Sequence, residues 1–267
     1  MHSFKMICLD IDGTLLNSQH QISETTKKAI QATTNIKKIP IILVSARMPK
    51  GIIYLQQELN IAEPIICYSG ALTLAKDSTV LANQVIPIPL LANILPVLQS
   101  KNVHISVYKD DEWYVEKPDI WSEQELKITN IKPTYRKLNK LLALWGNQHT
   151  GPNKLLCMSE PSTIQTLLDN ITNENLNIYP SKPTYLEIMP KNSSKTSAIK
   201  FLLKQYKLDR TELMVIGDNY NDIDMLTYAG LGIAMGNAPN DVKKCADAVT
   251  FTNDEDGVTA ALTKYVL

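Results

Sequence analysis

The sequence predicts an α/β protein, a doubly wound parallel-sheet core carrying an inserted α/β cap domain. Three observations predict it. Short apolar runs alternate with helical patterns from Met6 to Gly70, the same alternation returns after Pro190, and the stretch between has a different texture. Met6-Ile7-Cys8-Leu9 runs straight into Asp10, the pattern of a strand buried on both faces. Ser23 is placed to cap a helix running to about Thr34, with Ala29 and Ile30 turned inward. Ile39 to Val44 is a second buried strand, ending at Ser45-Ala46-Arg47. Pro49 suits the first turn of a helix carrying Ile52, Ile53, Leu55 and Leu59. Pro64 to Tyr68 is a third strand, closed by Ser69-Gly70. Strand, helix, strand, helix, strand at this spacing means parallel pairing.

Leu72 to Leu74 and Thr79 to Val85 read as a hairpin around Lys76-Asp77-Ser78. The expected division is 1–86 and 190–267 for the core and 87–189 for the insert. The insert reads as a helix from Leu90 to Gln99 and a hairpin from Val103 to Glu116. Helices follow over 119–129, between Arg136 and Trp145, and over 161–173, with strands at Leu155–Met158 and Tyr185–Met189. After Pro190, Ser194-Lys195 opens a helix with Ile199, Leu202 and Leu203 on one face. Glu212 to Ile216 is a strand ending in Gly217-Asp218-Asn219-Tyr220-Asn221-Asp222. A helix with Ile223, Met225 and Leu226 follows, then a strand from Leu231 to Met235 and a turn at Gly236 to Pro239. A short helix, an edge strand at Ala248-Val249 and a terminal helix complete the chain. Interrupting a Rossmann-like core in this way makes the insert a candidate lid.

Composition narrows the function classes. The 267 residues are 44% hydrophobic and 20% charged, enough for a sizeable core without staples. Basic and acidic residues both total 27, which leaves no electrostatic footprint for nucleic acid or an anionic membrane. No apolar run approaches the roughly 18 residues that span a bilayer, and no signal-peptide pattern opens the sequence. The four cysteines, Cys8, Cys67, Cys157 and Cys245, are far apart, and three sit in or beside apolar runs. A reducing, cytoplasmic setting is expected.

The chemistry gathers at predicted strand ends and helix starts: Asp10 and Asp12, Ser45, Lys195, and Asp218 with Asn221 and Asp222. Each has a plainer reading. Asp12-Gly13 is a common turn pair, and Asp-x-Asp-Gly resembles half a calcium loop. Ser45 is a turn or capping serine, Lys195 a solvated helix lysine, Gly217-Asp218-Asn219 a polar turn, and Asp222 a helix cap. Their joint occurrence in this order favours one crevice at the carboxyl edge of one sheet. Three carboxylates with few nitrogens or thiols suit a hard cation taken with waters, hence Mg²⁺. A hard cation beside a lysine and a hydroxyl makes a phosphoryl site. One carboxylate can act as nucleophile, and a second, two residues on, can protonate the leaving oxygen and later deprotonate water.

These residues resemble the motifs of the haloacid dehalogenase (HAD) superfamily, and in particular its Cof-type phosphatases. Asp10-Ile11-Asp12-Gly13-Thr14-Leu15 is similar to the first motif, Val44-Ser45-Ala46-Arg47 to the second, and Lys195 in Asn192-Ser193-Ser194-Lys195 to the third. The run from Gly217 to Leu226 is similar to the fourth, and Leu186-Glu187-Ile188 also fits. The resemblance implies that Asp10 is nucleophile and metal ligand. It implies that Asp12 is general acid/base with its backbone carbonyl on Mg²⁺, and that Asp218 is the third protein ligand. Ser45, the N–H groups of Ile11 and Ala46, Lys195 and Asn221 would hold the phosphate, and Asp222 would orient Lys195 or a metal-bound water. Two positions depart from the family pattern: Ala46 stands where glycine is usual, and Ser69-Gly70-Ala71 where Asn-Gly-Ala is usual. Arg47 and Ser69 are the substrate-contact candidates in the core. His104, Tyr108, Lys182 and Tyr185 are the candidates in the insert. The implied function is hydrolysis of small phosphomonoesters, sugar phosphates or similar metabolites, through an aspartyl-phosphate. A phosphomutase with the same kind of cap and a non-catalytic metabolite-binding protein are the alternatives.

Overall fold

A computed structural model describes residues 4–171 and 173–267. The chain divides into two compact units. One comprises residues up to Arg47, Ile52–Leu81 and Ser194–Leu267; the other comprises Met48–Gly51 and Ala82–Ser193. The first unit opens with β1 (Met6–Asp10), α1 (Glu24–Gln31), β2 (Ile41–Val44), α2 (Lys50–Leu59), β3 (Ile65–Cys67), β4 (Leu72–Leu74) and β5 (Val80–Asn83). The chain then supplies α3 (Ile88–Ser100), β6 (His104–Lys109), β7 (Glu112–Val115), α4 (Ile120–Thr129), β8 (Thr134–Tyr135) and α5 (Leu138–Asn147). These are followed by β9 (Lys154–Met158), α6 (Pro161–Asn170), β10 (Leu176–Lys182) and β11 (Tyr185–Pro190). It closes with α7 (Lys195–Tyr206), β12 (Leu213–Gly217), α8 (Ile223–Tyr228), β13 (Leu231–Ala234), α9 (Asn240–Cys245), β14 (Ala248–Val249) and α10 (Gly257–Tyr265).

The core sheet runs β14-β13-β12-β1-β2-β3-β4-β5. Its first six strands pair in parallel, and β4 turns antiparallel onto β3. Strand order reverses between β1 and β12, the switch point of a doubly wound sheet, beyond whose strand ends such folds take their ligands. Every residue of β1 is buried. Met6 and Cys8 pack into one apolar layer with Ala198, Ile199, Leu202 and Leu203 of α7 and Met225 and Leu226 of α8. Ile7 and Leu9, on the opposite face by strand alternation, are buried as well. Cys8, Cys67 and Cys157 are core thiols, and burial pushes the Cys8 thiol up; Cys245 is exposed.

The regular helices α1 and α6 end earlier than the sequence expectation. Ser23 caps α1, its Oγ accepting the Thr26 N–H at 3.1 Å. The regular helix stops at Gln31 rather than Thr34 and widens into a π turn over Ala32–Ile36. Thr33 and Thr34 donate their hydroxyls back to the carbonyls of Ala29 and Ile30, and such back-bonding loosens the final turns. The helix expected over 161–173 ends at Asn170; position 172 of that expectation lies outside the described residues.

The insert forms a six-stranded sheet, β10-β11-β9-β6-β7-β8. Ile105, Val107, Leu155, Cys157, Leu186 and Ile188 alternate onto one face, packed under the apolar residues of α3, α5 and α6. The residues between them, His104, Ser106, Tyr108, Lys154, Tyr185 and Glu187, form the other face. Lys154 Nζ lies 2.9 Å from Glu187 Oε2, with both side chains buried, and Tyr179 donates to the same oxygen at 3.2 Å. Burial pushes the Glu187 carboxyl up, but the Lys154 charge and the hydrogen bonds outweigh it and hold it below its ordinary value of 4.5. Glu187 therefore contributes stability that is present above that value and lost as pH falls through its lower folded value. Removing one partner of such a pair strands the other, so Glu187→Gln should cost about 3 kcal/mol. All three tryptophans, Trp113, Trp121 and Trp145, lie in the insert, so a urea melt followed by tryptophan fluorescence reads this unit.

Candidate active site

The register of the core sheet assembles the site. Asp10 pairs with Val44, and Leu9 with Ile216. Ser45, one residue past Val44, and Asp218, two past Ile216, therefore flank the end of β1. Lys195 arrives from α7, whose start is fixed by a reciprocal cap. Ser194 Oγ accepts the Ser197 N–H at 3.0 Å, and Ser197 Oγ accepts the Ser194 N–H at 3.1 Å. Gly70, at φ +99°, lets the chain after β3 press against this cap, because a Cβ there would strike the Ser194 carbonyl.

Lys195 Nζ bridges Asp10 Oδ1 at 2.5 Å and Asp222 Oδ1 at 2.6 Å. A buried cation at a helix N-terminus meets both desolvation and an adverse dipole, and the two carboxylates offset them. Burial pulls the Lys195 ammonium down, but Asp10 and Asp222 outweigh it and raise it, so it stays charged. Asp222 is fully buried at the head of α8. Its second oxygen accepts the N–H groups of Asp218 at 3.0 Å and Asn219 at 3.1 Å. Both Asp222 oxygens thus hold protein donors, which makes it the anchor of Lys195 and of the loop carrying Asp218.

Asp218 Oδ1 accepts the Thr14 hydroxyl at 3.0 Å. Gly13, at φ +80°, lies so close to the Asp218 carboxylate that a Cβ would run into it. The ligand atoms of Asp10, Asp218 and Asp222 all lie within 4.8 Å of one another. Burial pushes the Asp10 carboxyl well up, against the pull of Lys195 and with the help of Asp222 and Asp218. Burial first, then Asp222, raises Asp218 to about 6. Three crowded carboxylates sharing one ammonium make a site short of positive charge, and oxygen-only donors at this separation fit a hard divalent cation.

The Asp12 carboxylate turns elsewhere. Arg47 Nε donates to Oδ2 at 2.9 Å and Nη2 to Oδ1 at 2.6 Å. Burial pushes the Asp12 carboxyl up, but the hydrogen bonds and charge of Arg47 outweigh it, and the net direction is down. Ser45 is buried and its Oγ accepts the Arg47 N–H at 3.1 Å, so the turn that shows the hydroxyl also sets the arginine. Ile11 is buried, Ala46 half-buried, and Asn221 exposed on the turn Tyr220–Asp222. Ser69 is buried at φ 48°, its N–H on the Ser45 carbonyl. In the insert, His104 bonds Asp119 and Ser106, Tyr185 donates to Glu125, and Lys182 lies over the Tyr185 ring. Tyr108 stacks on Trp113. Three participants escaped the sequence reading: Thr14 on Asp218, Tyr54 on Arg47, and Asn237, whose Nδ2 donates to the Gly13 carbonyl at 2.8 Å. Thr14 was the one with a signal, since it stands inside the first motif.

Carboxylates and a buried lysine gathered at the switch point of a doubly wound sheet define a phosphatase-class enzyme. The chain belongs to the haloacid dehalogenase-like hydrolases, whose family model matches residues 7–262. A Haemophilus influenzae protein carrying a provisional name as a phosphatase is 31% identical, over 97% of both chains. The Bacillus subtilis protein YitU, named a 5-amino-6-(5-phospho-D-ribitylamino)uracil phosphatase, is 27% identical, again over 97% of both. Among solved structures, a haloacid dehalogenase-like hydrolase from Bacteroides thetaiotaomicron superposes with a TM-score of 0.89 at 28% identity, covering 98% of this chain and 99% of that one. Among the described residues no helix is long and apolar enough to cross a membrane.

Proposed function

We propose that the protein hydrolyses small phosphomonoesters, sugar phosphates or similar metabolites, in the cytoplasm, with Mg²⁺ and through an aspartyl-phosphate on Asp10. The observation that carries this reading is the Lys195 ammonium held between Asp10 and Asp222 at the end of the central strand. It supports the reading because the carboxylate proposed as nucleophile and the ammonium proposed to bind phosphate lie side by side. The named activity of the Bacillus subtilis relative supports the substrate class.

An Asp10 carboxylate oxygen attacks phosphorus as the bond to the leaving oxygen breaks, and Asp12, having first taken a proton from solvent, gives it to that oxygen. Asp12, now a carboxylate, takes a proton from water; the water oxygen bonds to phosphorus, the Asp10–phosphorus bond breaks, and phosphate leaves. Lys195, the Ser45 hydroxyl, Asn221 and the N–H groups of Ile11 and Ala46 hold the phosphoryl oxygens. Asp10, Asp218 and the backbone carbonyl of Asp12 would hold Mg²⁺, whose bound charge neutralises that of the phosphoryl group. The inserted unit, with Ser69 beside the site, is the part proposed to choose among esters.

Turnover of a panel of phosphorylated metabolites tests the function; no turnover of any of them would overturn it. The metal has its own test. EDTA should silence the enzyme and Mg²⁺ restore it. Because Asp10 and Asp218 are both pushed up, the folded metal-free protein holds extra protons and loses stability as pH rises from about 4 toward about 6. A cation must displace those protons. Added Mg²⁺ should therefore raise the melting temperature more at pH 7 than at pH 5, and a shift equal at both would contradict the site.

A further inference from the structure

We infer that Asn237 is a positioning residue for the metal site: its hydrogen bond to the Gly13 carbonyl sets the turn that carries the Asp12 backbone carbonyl on one side of Gly13 and seats Thr14 on Asp218 on the other. The inference rests on the reading of Asp10, Asp218 and the Asp12 carbonyl as the ligands of Mg²⁺.

The turn after β1 combines a demand with a weakness. Gly13 must be glycine, because its φ of +80° and the adjacent Asp218 carboxylate leave no room for a Cβ. Glycine also restrains its own backbone least, so the Asp12–Gly13 peptide, whose carbonyl is a proposed ligand, turns freely unless its neighbours are held. Asn237 supplies that hold. Its Nδ2 donates to the Gly13 carbonyl at 2.8 Å, one peptide beyond the Asp12 carbonyl. Its Oδ1 accepts the Asn253 N–H at 3.0 Å, so the amide is fixed at both ends. The turn that bears Asn237 is tied down by its own main chain: the Met235 N–H donates to the Gly217 carbonyl, and the Gly236 N–H to the Phe251 carbonyl, both at 2.9 Å. The first of these bonds joins the turn to the residue just before Asp218. Asn237 therefore links the two segments that would supply metal oxygens, the turn after β1 and the loop after β12. Asn253 holds the same turn three residues further on, its Nδ2 donating to the Leu16 carbonyl at 2.9 Å. Leu16 has a second hold, its N–H on the Ile11 carbonyl at 2.9 Å, so the Leu16 end is secured without Asn253. Asn237 lies outside all four motifs.

A group that orients a metal ligand from outside shows itself in the affinity for the ion. The test measures Mg²⁺ binding to the intact protein by isothermal titration calorimetry. Asn237→Ala, a change at an exposed side chain, should fold as wild type does by circular dichroism and bind Mg²⁺ about tenfold more weakly. The Mg²⁺ concentration giving half-maximal turnover of p-nitrophenyl phosphate should rise by a similar factor, while KM for the ester at saturating Mg²⁺ stays as in wild type. Asn253→Ala is the control for a merely structural role. It removes a side-chain hydrogen bond from the same turn and keeps its own N–H on Asn237, so it should bind Mg²⁺ within about twofold of wild type. Wild-type affinity in Asn237→Ala, or equal weakening in both variants, would overturn the assignment. Asp218→Asn, run alongside, separates the two levels. If it binds Mg²⁺ as tightly as wild type, the underlying reading of the ligands fails. If it has lost the ion while Asn237→Ala keeps it, the positioning role alone fails.

Discussion

Asp10→Asn is expected to abolish phosphatase activity, by about 10³-fold or more on p-nitrophenyl phosphate, while the protein stays folded. The amide keeps the shape of the carboxylate and cannot attack phosphorus. Folding should survive because the charge removed is one that burial and its acidic neighbours already disfavour. Lys195 keeps Asp222 as its partner at 2.6 Å. Circular dichroism and a thermal melt close to wild type, beside lost turnover, are the expected pair of results. Full activity in this variant would remove Asp10 as nucleophile.

Lys195→Met should lose both activity and stability. Without the ammonium, Asp10, Asp218 and Asp222 face one another with no cation among them. Breaking a buried ion pair from one side costs about 3–5 kcal/mol, so a urea melt at pH 7 should show a loss of that order. The sign with pH follows from the carboxylates. With no lysine to oppose it, burial raises the Asp10 carboxyl further, and the folded variant takes up protons as pH falls. The stability gap to wild type should therefore narrow from pH 7 to pH 5, and Mg²⁺ should narrow it at pH 7. Activity should fall by about 10²–10³-fold, the cost of removing one preorganised group that stabilises developing charge. A variant as stable as wild type at pH 7 would mean that the three carboxylates do not share this ion pair.

The legibility of the chain varied for identifiable reasons. β1, β2, β3 and β12 were readable because burial on both faces leaves a continuous apolar run, closed within two residues by a polar side chain. α7 was readable because Ser194 and the Ile199, Leu202 and Leu203 face mark its start and its buried side. β10 was not. Its Leu176–Lys182 lies at the sheet edge, shows no strict alternation, and carries Pro180 at a register shift against β11. β8 is two residues long, too short to show a period. The end of α1 was missed because Thr33 and Thr34 back-bond to the helix, an effect that propensity does not reveal.

The sequence by itself determined which chemical groups stand at the carboxyl edge of the sheet, and in which order, because a buried parallel strand fixes where its last residue lies. It named Asp10, Asp12, Ser45, Lys195, Asp218 and Asp222 on that ground, and the family resemblance attached roles to them. It could not determine which carboxylate faces which cation. Asp12 lies two residues from Asp10, yet its side chain goes to Arg47, while Asp10 shares Lys195 with Asp222 from a loop more than two hundred residues away. Only the tertiary structure decided that pairing. Hydrogen-bond partners are set by the register of β1 between β2 and β12 and by the angle at which α7 and α8 begin, and neither is written in local sequence.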